Sequence, residues 1–143
     1  MRSFIGGKPG RMLVVHLKKG EFLLESIEEE LKRQNIKHAV LLSCIGSLRK
    51  AVFHYIVSTD DLATDKFLTL ERPIELAAVQ GLVLDGKAHF HMVLSDDDKT
   101  YTGHLEEGCE IQYLAEISLL EIENVNLERR TDEFGILYID EKK

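Results

Sequence analysis

The sequence predicts an α+β domain dominated by sheet with one main helix, and three observations carry that prediction. Apolar residues recur at helical spacing in one segment only, residues 21–34. Alternating or β-rich apolar runs fill most of the remainder. Turn residues punctuate those runs at Gly20, Gly46-Ser47, Asp85-Gly86 and residues 95–100. The 143 residues read as a single domain, 1–143, long enough to bury a core.

Taken in order, residues 11–17 form a first strand that Gly20 ends. In the helix, Leu24, Ile27 and Leu31 make an apolar stripe that Leu23 widens. Acidic residues crowd its early and middle turns, Lys32 and Arg33 close it as the helix dipole prefers, and Asn35 stops it. Residues 39–45 are a buried strand, Gly46-Ser47 a turn, and residues 50–57 another strand. After a polar loop at 59–65, residues 66–70 form a short strand, and Pro73 marks a boundary before a strand at 74–84. Asp85-Gly86 is a strong hairpin signal. Residues 111–126 are apolar on both faces in the middle, Ile111, Tyr113, Ala115, Ile117 and Leu119 against Leu114, Leu120 and Ile122. Such a strand is covered on both sides, and with one helix available the second cover is expected to be another subunit. The tail ends in Ile136-Leu-Tyr-Ile139, a last strand expected to join a neighbouring sheet.

Composition restricts the function classes. Apolar residues at 44% and charged residues at 30% describe a soluble globular protein, with no apolar run of membrane-spanning length and no signal-peptide core at the N-terminus. Two cysteines, Cys44 and Cys109, make no disulfide framework, so a reduced, cytoplasmic setting is expected. Asn and Gln number 3 each against 16 Glu and 11 Lys, a balance that leans towards a heat-adapted source. The net charge of −7, with basic residues in scattered pairs, argues against a duplex-DNA surface, because phosphate binding is driven by a basic stripe.

The chemistry concentrates between Gly81 and Cys109. Ala88, Phe90, Met92 and Leu94 share one strand face, and His89, His91 and Val93 the other. If the next turn centres on Asp97-Asp98, His104 on the returning strand stands directly across from His91, and opposed residues share a face. Histidines at i and i+2 are ~6–7 Å apart at Cα and a cross-strand third is ~5 Å away. Three imidazoles so placed can reach one divalent transition metal, zinc among them, and leave a fourth position for water or substrate. A one-residue slip in register would remove His104 from the site. Glu106 would oppose His89 as a fourth ligand, a support for the ligands or a general base. Glu116, between Ala115 and Ile117, needs a partner if buried, and Arg49 is a candidate partner or anion anchor. His16, His38 and His54 read as structural or solvated. No phosphate loop, serine elbow or cysteine nucleophile motif is present.

Four ordered stretches, Ser43-Cys-Ile-Gly-Ser-Leu-Arg49, Ile74-Glu-Leu with Gly81 following, Gly103-His-Leu-Glu-Glu-Gly-Cys109 and Ala115-Glu-Ile117, resemble the plant-and-prokaryote-conserved (PPC) domain family over roughly residues 12–137. The resemblance implies a strongly bent mixed or antiparallel sheet with a helix, assembled as a homotrimer. It also implies a metal on His89, His91 and His104, and a description as a DNA-binding protein. Plant relatives bind DNA through separate AT-hook segments, which this sequence lacks, and Arg72-Pro73 stands where their pattern has Gly-Arg. The fold is similar to that of acetolactate decarboxylase, whose zinc is held by a comparable histidine set. Two function classes therefore stand open. One is a trimeric assembly or nucleic-acid-associated module. The other is a metal-dependent lyase or hydrolase acting on a small oxygenated molecule, with Glu106, Glu116 and Arg49 as supporting residues.

Overall fold

A computed structural model describes residues 1–143, with the core built between one helix and the inner face of a six-stranded sheet. The helix α1 (Leu23–Arg33) buries Leu23, Ile27 and Leu31 to 1% exposure or less. Burying such side chains contributes about 1.5–3 kcal/mol each. No side chain caps its start. The first amide instead donates to the Cys109 carbonyl at 2.9 Å, and Glu25 accepts from the Gly108 amide at 2.7 Å. At the other end Asn35 takes a φ of 54°, and the Ile36 amide donates back to Leu31, the expected left-handed stop.

The strands are β1 (Lys8–Lys18), β2 (Ala39–Ile56), β3 (Asp65–Leu84), β4 (Lys87–Ser95), β5 (Thr100–Leu105) and β6 (Glu110–Glu123), ordered β1-β6-β2-β3-β4-β5 with every pairing antiparallel. β5 also returns to pair with β2, so β2 to β5 close on themselves. Long strands allow this because bulges bend them; the β2–β3 register shifts between Leu48 and Lys50, and the β3–β4 register between Leu76 and Ala78.

Two expected breaks are absent. Gly46 ends no strand; it lies where β2 crosses β6, and a Cβ there would collide with the Leu114 carbonyl and approach the Ala115 Cα to 2.8 Å. Glycine here serves close backbone approach rather than a turn. Pro73 lies inside β3, beside the β2–β3 bulge and before the first β3–β4 rung at Glu75 and Ser95, so its missing N–H costs no ladder bond. The Asp85-Gly86 turn is as expected, two residues with φ of 50° and 77°.

The tail differs from expectation. β7 (Leu127–Thr131) and β8 (Leu137–Glu141) pair with each other as a separate hairpin, its turn closed by Asp132, whose carboxylate accepts from the Phe134 and Ile136 amides. On β6, Ile111, Ala115, Ile117 and Leu119 are buried, while Tyr113 and Leu114 are exposed. On the second face Leu120 and Ile122 are partly covered and Leu114 is exposed, as are Met12, Val14, Leu42 and Ile45 on the neighbouring strands. No helix is long and apolar enough to cross a membrane.

Candidate metal centre

The hairpin β4–β5 is held from both ends. Asp96, its side chain fully buried, accepts from the Asp98 and Lys99 amides at 2.9 Å each and from Tyr101 and Arg72. Those amide bonds, the Lys99 one foremost, hold its carboxyl below the usual range. The four-residue turn pairs Ser95 with Thr100, and the same register puts His91 opposite His104. Phe90, Met92 and Leu94 point into the core at 1% exposure or less, which commits His89, His91 and Val93 to the outer face.

The closure of the sheet adds a residue that the sequence reading left aside. His54 on β2 pairs with His104 on β5, and the two rings stack with centroids 4.7 Å apart. Gly103 permits that approach, since a Cβ there would sit 2.5 Å from the His54 carbonyl oxygen and 2.8 Å from the Phe53 ring. No local pattern marks His54, because nothing in residues 50–57 says which strand will lie beside them.

Glu106 does not oppose His89. β5 ends at Leu105, and the Glu106 amide turns onto β2 to donate to the Val52 carbonyl. One carboxylate oxygen then lies 2.6 Å from His54 Nδ1 and 3.0 Å from His104 Nδ1. As an acceptor it draws a proton onto both Nδ1 atoms and leaves each Nε2 with its lone pair free.

His54, His104 and Glu106 have ligand atoms within 4.8 Å of one another, whereas those of His89, His91 and His104 do not all come that close. That closeness follows from the shared hydrogen bonds, whose atoms are already satisfied. The remaining nitrogens are arranged differently. His89 Nε2 and His91 Nε2 are 3.3 Å apart, the spacing of two ligands on one tetrahedral ion with bonds of ~2.05 Å, about 3.3 Å. The ring centroids of His89, His91 and His104 are 5.3, 4.9 and 5.6 Å apart. Three imidazoles on such an ion, with ~1.1 Å from nitrogen to ring centre, would be about 5.2 Å apart.

Burial, then the neighbouring imidazoles and the Arg129 guanidinium, pushes His89 down to about 4, and burial beside the other imidazoles also lowers His91. Neutral imidazole is the metal-binding form. Two cavities flank the cluster and meet at His91. One, about 370 Å³, is lined by His89, His91, Arg129 and Tyr138. The other, about 520 Å³, is lined by His54, His91 and His104.

The other candidates lie elsewhere. Glu116 is exposed on β6 opposite His16 and Ile45, so it needs no buried partner. Arg49 is 3.7 Å from Glu110, five residues along β2 from His54, or ~17 Å at ~3.4 Å per residue. His38 is buried, accepts from the Asp85 amide through Nδ1, and is structural. Both cysteines are free and buried, with thiols pushed up to about 12 at Cys44 and about 11 at Cys109.

A bent antiparallel sheet with one helix inside and a polar cluster of four imidazoles and one carboxylate outside defines a histidine-bearing α+β domain. The chain belongs to the Plants and Prokaryotes Conserved (PCC) domain family, whose model matches residues 5–123. A plant- and prokaryote-conserved protein of Pyrococcus horikoshii is 28% identical, covering 100% of this chain and 99% of its own, with a TM-score of 0.83. A metal-containing protein of Archaeoglobus fulgidus is also 28% identical, covering 96% and 97%, with a TM-score of 0.82. A Bacteroides thetaiotaomicron structure described as a DNA-binding candidate is 16% identical over 94% of this chain and 96% of its own at a TM-score of 0.74, which shows the fold alone. Among curated proteins, the bifunctional protein GlmU of Synechococcus sp. (strain JA-3-3Ab) is 29% identical over 123 residues, 85% of this chain. This chain spans 19% of that relative's length.

Proposed function

We propose that this is a metal-binding assembly protein, a homotrimer in which His89, His91 and His104 hold one divalent transition metal, zinc in the first instance. The observation that carries the reading is the 3.3 Å between His89 Nε2 and His91 Nε2. Without an ion, one neutral imidazole donates its Nε2–H to the lone pair of the other at that distance; with both rings in the Nδ1–H tautomer, the two Nε2 lone pairs would face a single ion. Glu106 orients His104 through Nδ1, and His54 buttresses both by stacking and by its own bond to Glu106. The relative from Archaeoglobus fulgidus is itself a metal-containing protein, which supports a metal in this fold. The trimer is supported by the exposed apolar residues of β1, β6 and β2, where Val14 is 74% and Tyr113 72% exposed. Two unpaired thiols suit a reducing, cytoplasmic setting.

A bound divalent ion polarises a carbonyl or acidifies a water. The cavity open onto His89 and His91 therefore favours a second reading, a metal-dependent lyase or hydrolase on a small oxygenated molecule, with Glu106 acting from the other side of the cluster through its bond to His104. Nucleic-acid binding, carried by the family resemblance, draws less support. The net charge is −7, and Arg2, Arg11, Arg33, Arg49, Arg72 and Arg130 each already have a carboxylate within 4 Å.

One experiment tests the main reading. Size exclusion with in-line light scattering, followed by metal analysis of the peak, is expected to give three times 16.3 kDa and one metal per chain in the wild type. His89→Ala and His91→Ala are expected to lose the metal, and His54→Ala to keep it with weakened affinity. Equal metal in all four proteins would remove the site; loss in His54→Ala but not His89→Ala would move it to His54, His104 and Glu106. A protomer-sized peak would remove the trimer.

A further inference from the structure

Arg129 stands apart from every other arginine of the chain. The seven arginines include six with a carboxylate within 4 Å, and Arg129 has none. Its neighbour Arg130 makes the contrast plain, with Glu128 at 2.7 Å and Asp140 at 3.1 Å on the other face of the same strand. The Arg129 guanidinium instead donates to two backbone carbonyls, Lys87 through Nη1 and Leu82 through Nη2, each at 2.9 Å. These bonds pin the fork against the β3–β4 ladder and use two of its five N–H donors. Burial bears on it enough to lower its pKa.

The cavity that Arg129 lines holds His89 and His91 and no acidic residue. Glu106 lies on the other side of the cluster, against His54 and His104. With three neutral imidazoles as ligands, a divalent ion would place two positive charges next to this third one, in partly buried surroundings where charge interactions are strong. A half-buried, carbonyl-anchored guanidinium without a counter-ion, beside a cationic centre, is an incomplete site. We infer that Arg129 is the anchor for a small oxyanion, a carboxylate or phosphate group, that fills this cavity and bridges the guanidinium fork to the metal held by His89, His91 and His104. A planar fork suits such a group through two parallel bonds, and its pinned geometry lowers the ordering cost of binding. The inference rests on the metal reading above and adds to it the chemical class of the ligand. Arg129 itself comes from the β7–β8 hairpin, beyond the residues matched by the family model.

The test uses the full chain. Zinc-loaded wild type, Arg129→Gln, Arg129→Lys and Leu137→Glu are titrated calorimetrically with oxalate and, separately, with inorganic phosphate, and the titrations are repeated on the metal-free proteins. Leu137 lines the same cavity and is 52% exposed, so a carboxylate introduced there competes for the guanidinium while sparing its backbone bonds. Zinc content is expected to be equal in all four. The wild type should bind at least one anion, with Kd raised tenfold or more in Arg129→Gln and Leu137→Glu and less in Arg129→Lys; which anion binds tells a carboxylate from a phosphate ligand. If neither anion binds zinc-loaded wild type, or affinities match across the four at equal zinc, the inference is overturned and the metal site stands. If the wild type takes up no zinc, the metal reading fails. Anion binding by the metal-free wild type that Arg129→Gln abolishes then keeps the anchor, and its absence overturns that too.

Discussion

The two faces of the β4–β5 hairpin are built by different forces. On the inner face Phe90, Met92, Leu94 and Leu105 are at most 1% exposed, and packing alone decides their environment. On the outer face His89, His91 and His104 are arranged by register, by the Asp96 turn and by Glu106, with little burial energy of their own. The inner face supplies stability and has no choice of chemistry. The outer face supplies chemistry and depends on the inner one for its geometry, since a slip of one residue would exchange the two.

The largest break should come from the inner face. Phe90→Ala is expected to cost about 3–5 kcal/mol, measured as a lower urea midpoint, because it leaves a cavity at the centre of the core. Metal affinity in the surviving folded fraction should change little. An unchanged midpoint would mean that the core does not depend on that ring.

A smaller effect, aimed at the junction of the faces, is expected from Gly103→Ala. The added methyl meets the His54 carbonyl and the Phe53 ring, so β5 must move away from β2 at about 1–3 kcal/mol. Here the outer face should suffer more than the inner, with metal content falling while most of the stability remains. Full metal content at wild-type affinity would show that His104 does not depend on its seat beside His54.

The smallest effect is on pH dependence. In the metal-free protein His89, His91 and His38 all have pKa values lowered by burial. Below about 6.5 the unfolded chain takes up protons that the folded chain refuses, so it binds more protons and stability falls as pH falls. For His89 the fall runs from about 6.5 to about 4 and then levels off. Urea midpoints across that window should decline in the wild type and decline less in His89→Gln. Parallel profiles would count against a neutral His89.

Much of the outer face is legible in the sequence. The alternation from Ala88 to Leu94, the Asp-Gly turn and the four-residue acidic turn are local, and together they predict His91 opposite His104. The helix was legible for the same reason, with its stripe at Leu23, Ile27 and Leu31 and its stop at Asn35. Local reading failed where one residue type serves two ends. Gly46 and Pro73 look like breaks by propensity, yet one allows a strand crossing and the other accompanies a bulge.

The sequence by itself determined the hairpin, its register and three of the imidazoles, because turn chemistry and strand period act over a few residues. Only the tertiary structure decided that His54 stacks on His104, that Glu106 serves both, and that Arg129 faces the same cluster without a counter-ion. Those residues come from separate strands or beyond a strand end, across 75 positions of chain from His54 to Arg129. They meet because the bulged sheet bends until β5 reaches β2, and because the β7–β8 hairpin is pinned to backbone carbonyls. Contacts of that range are made by the closure of the whole sheet, which no local pattern encodes.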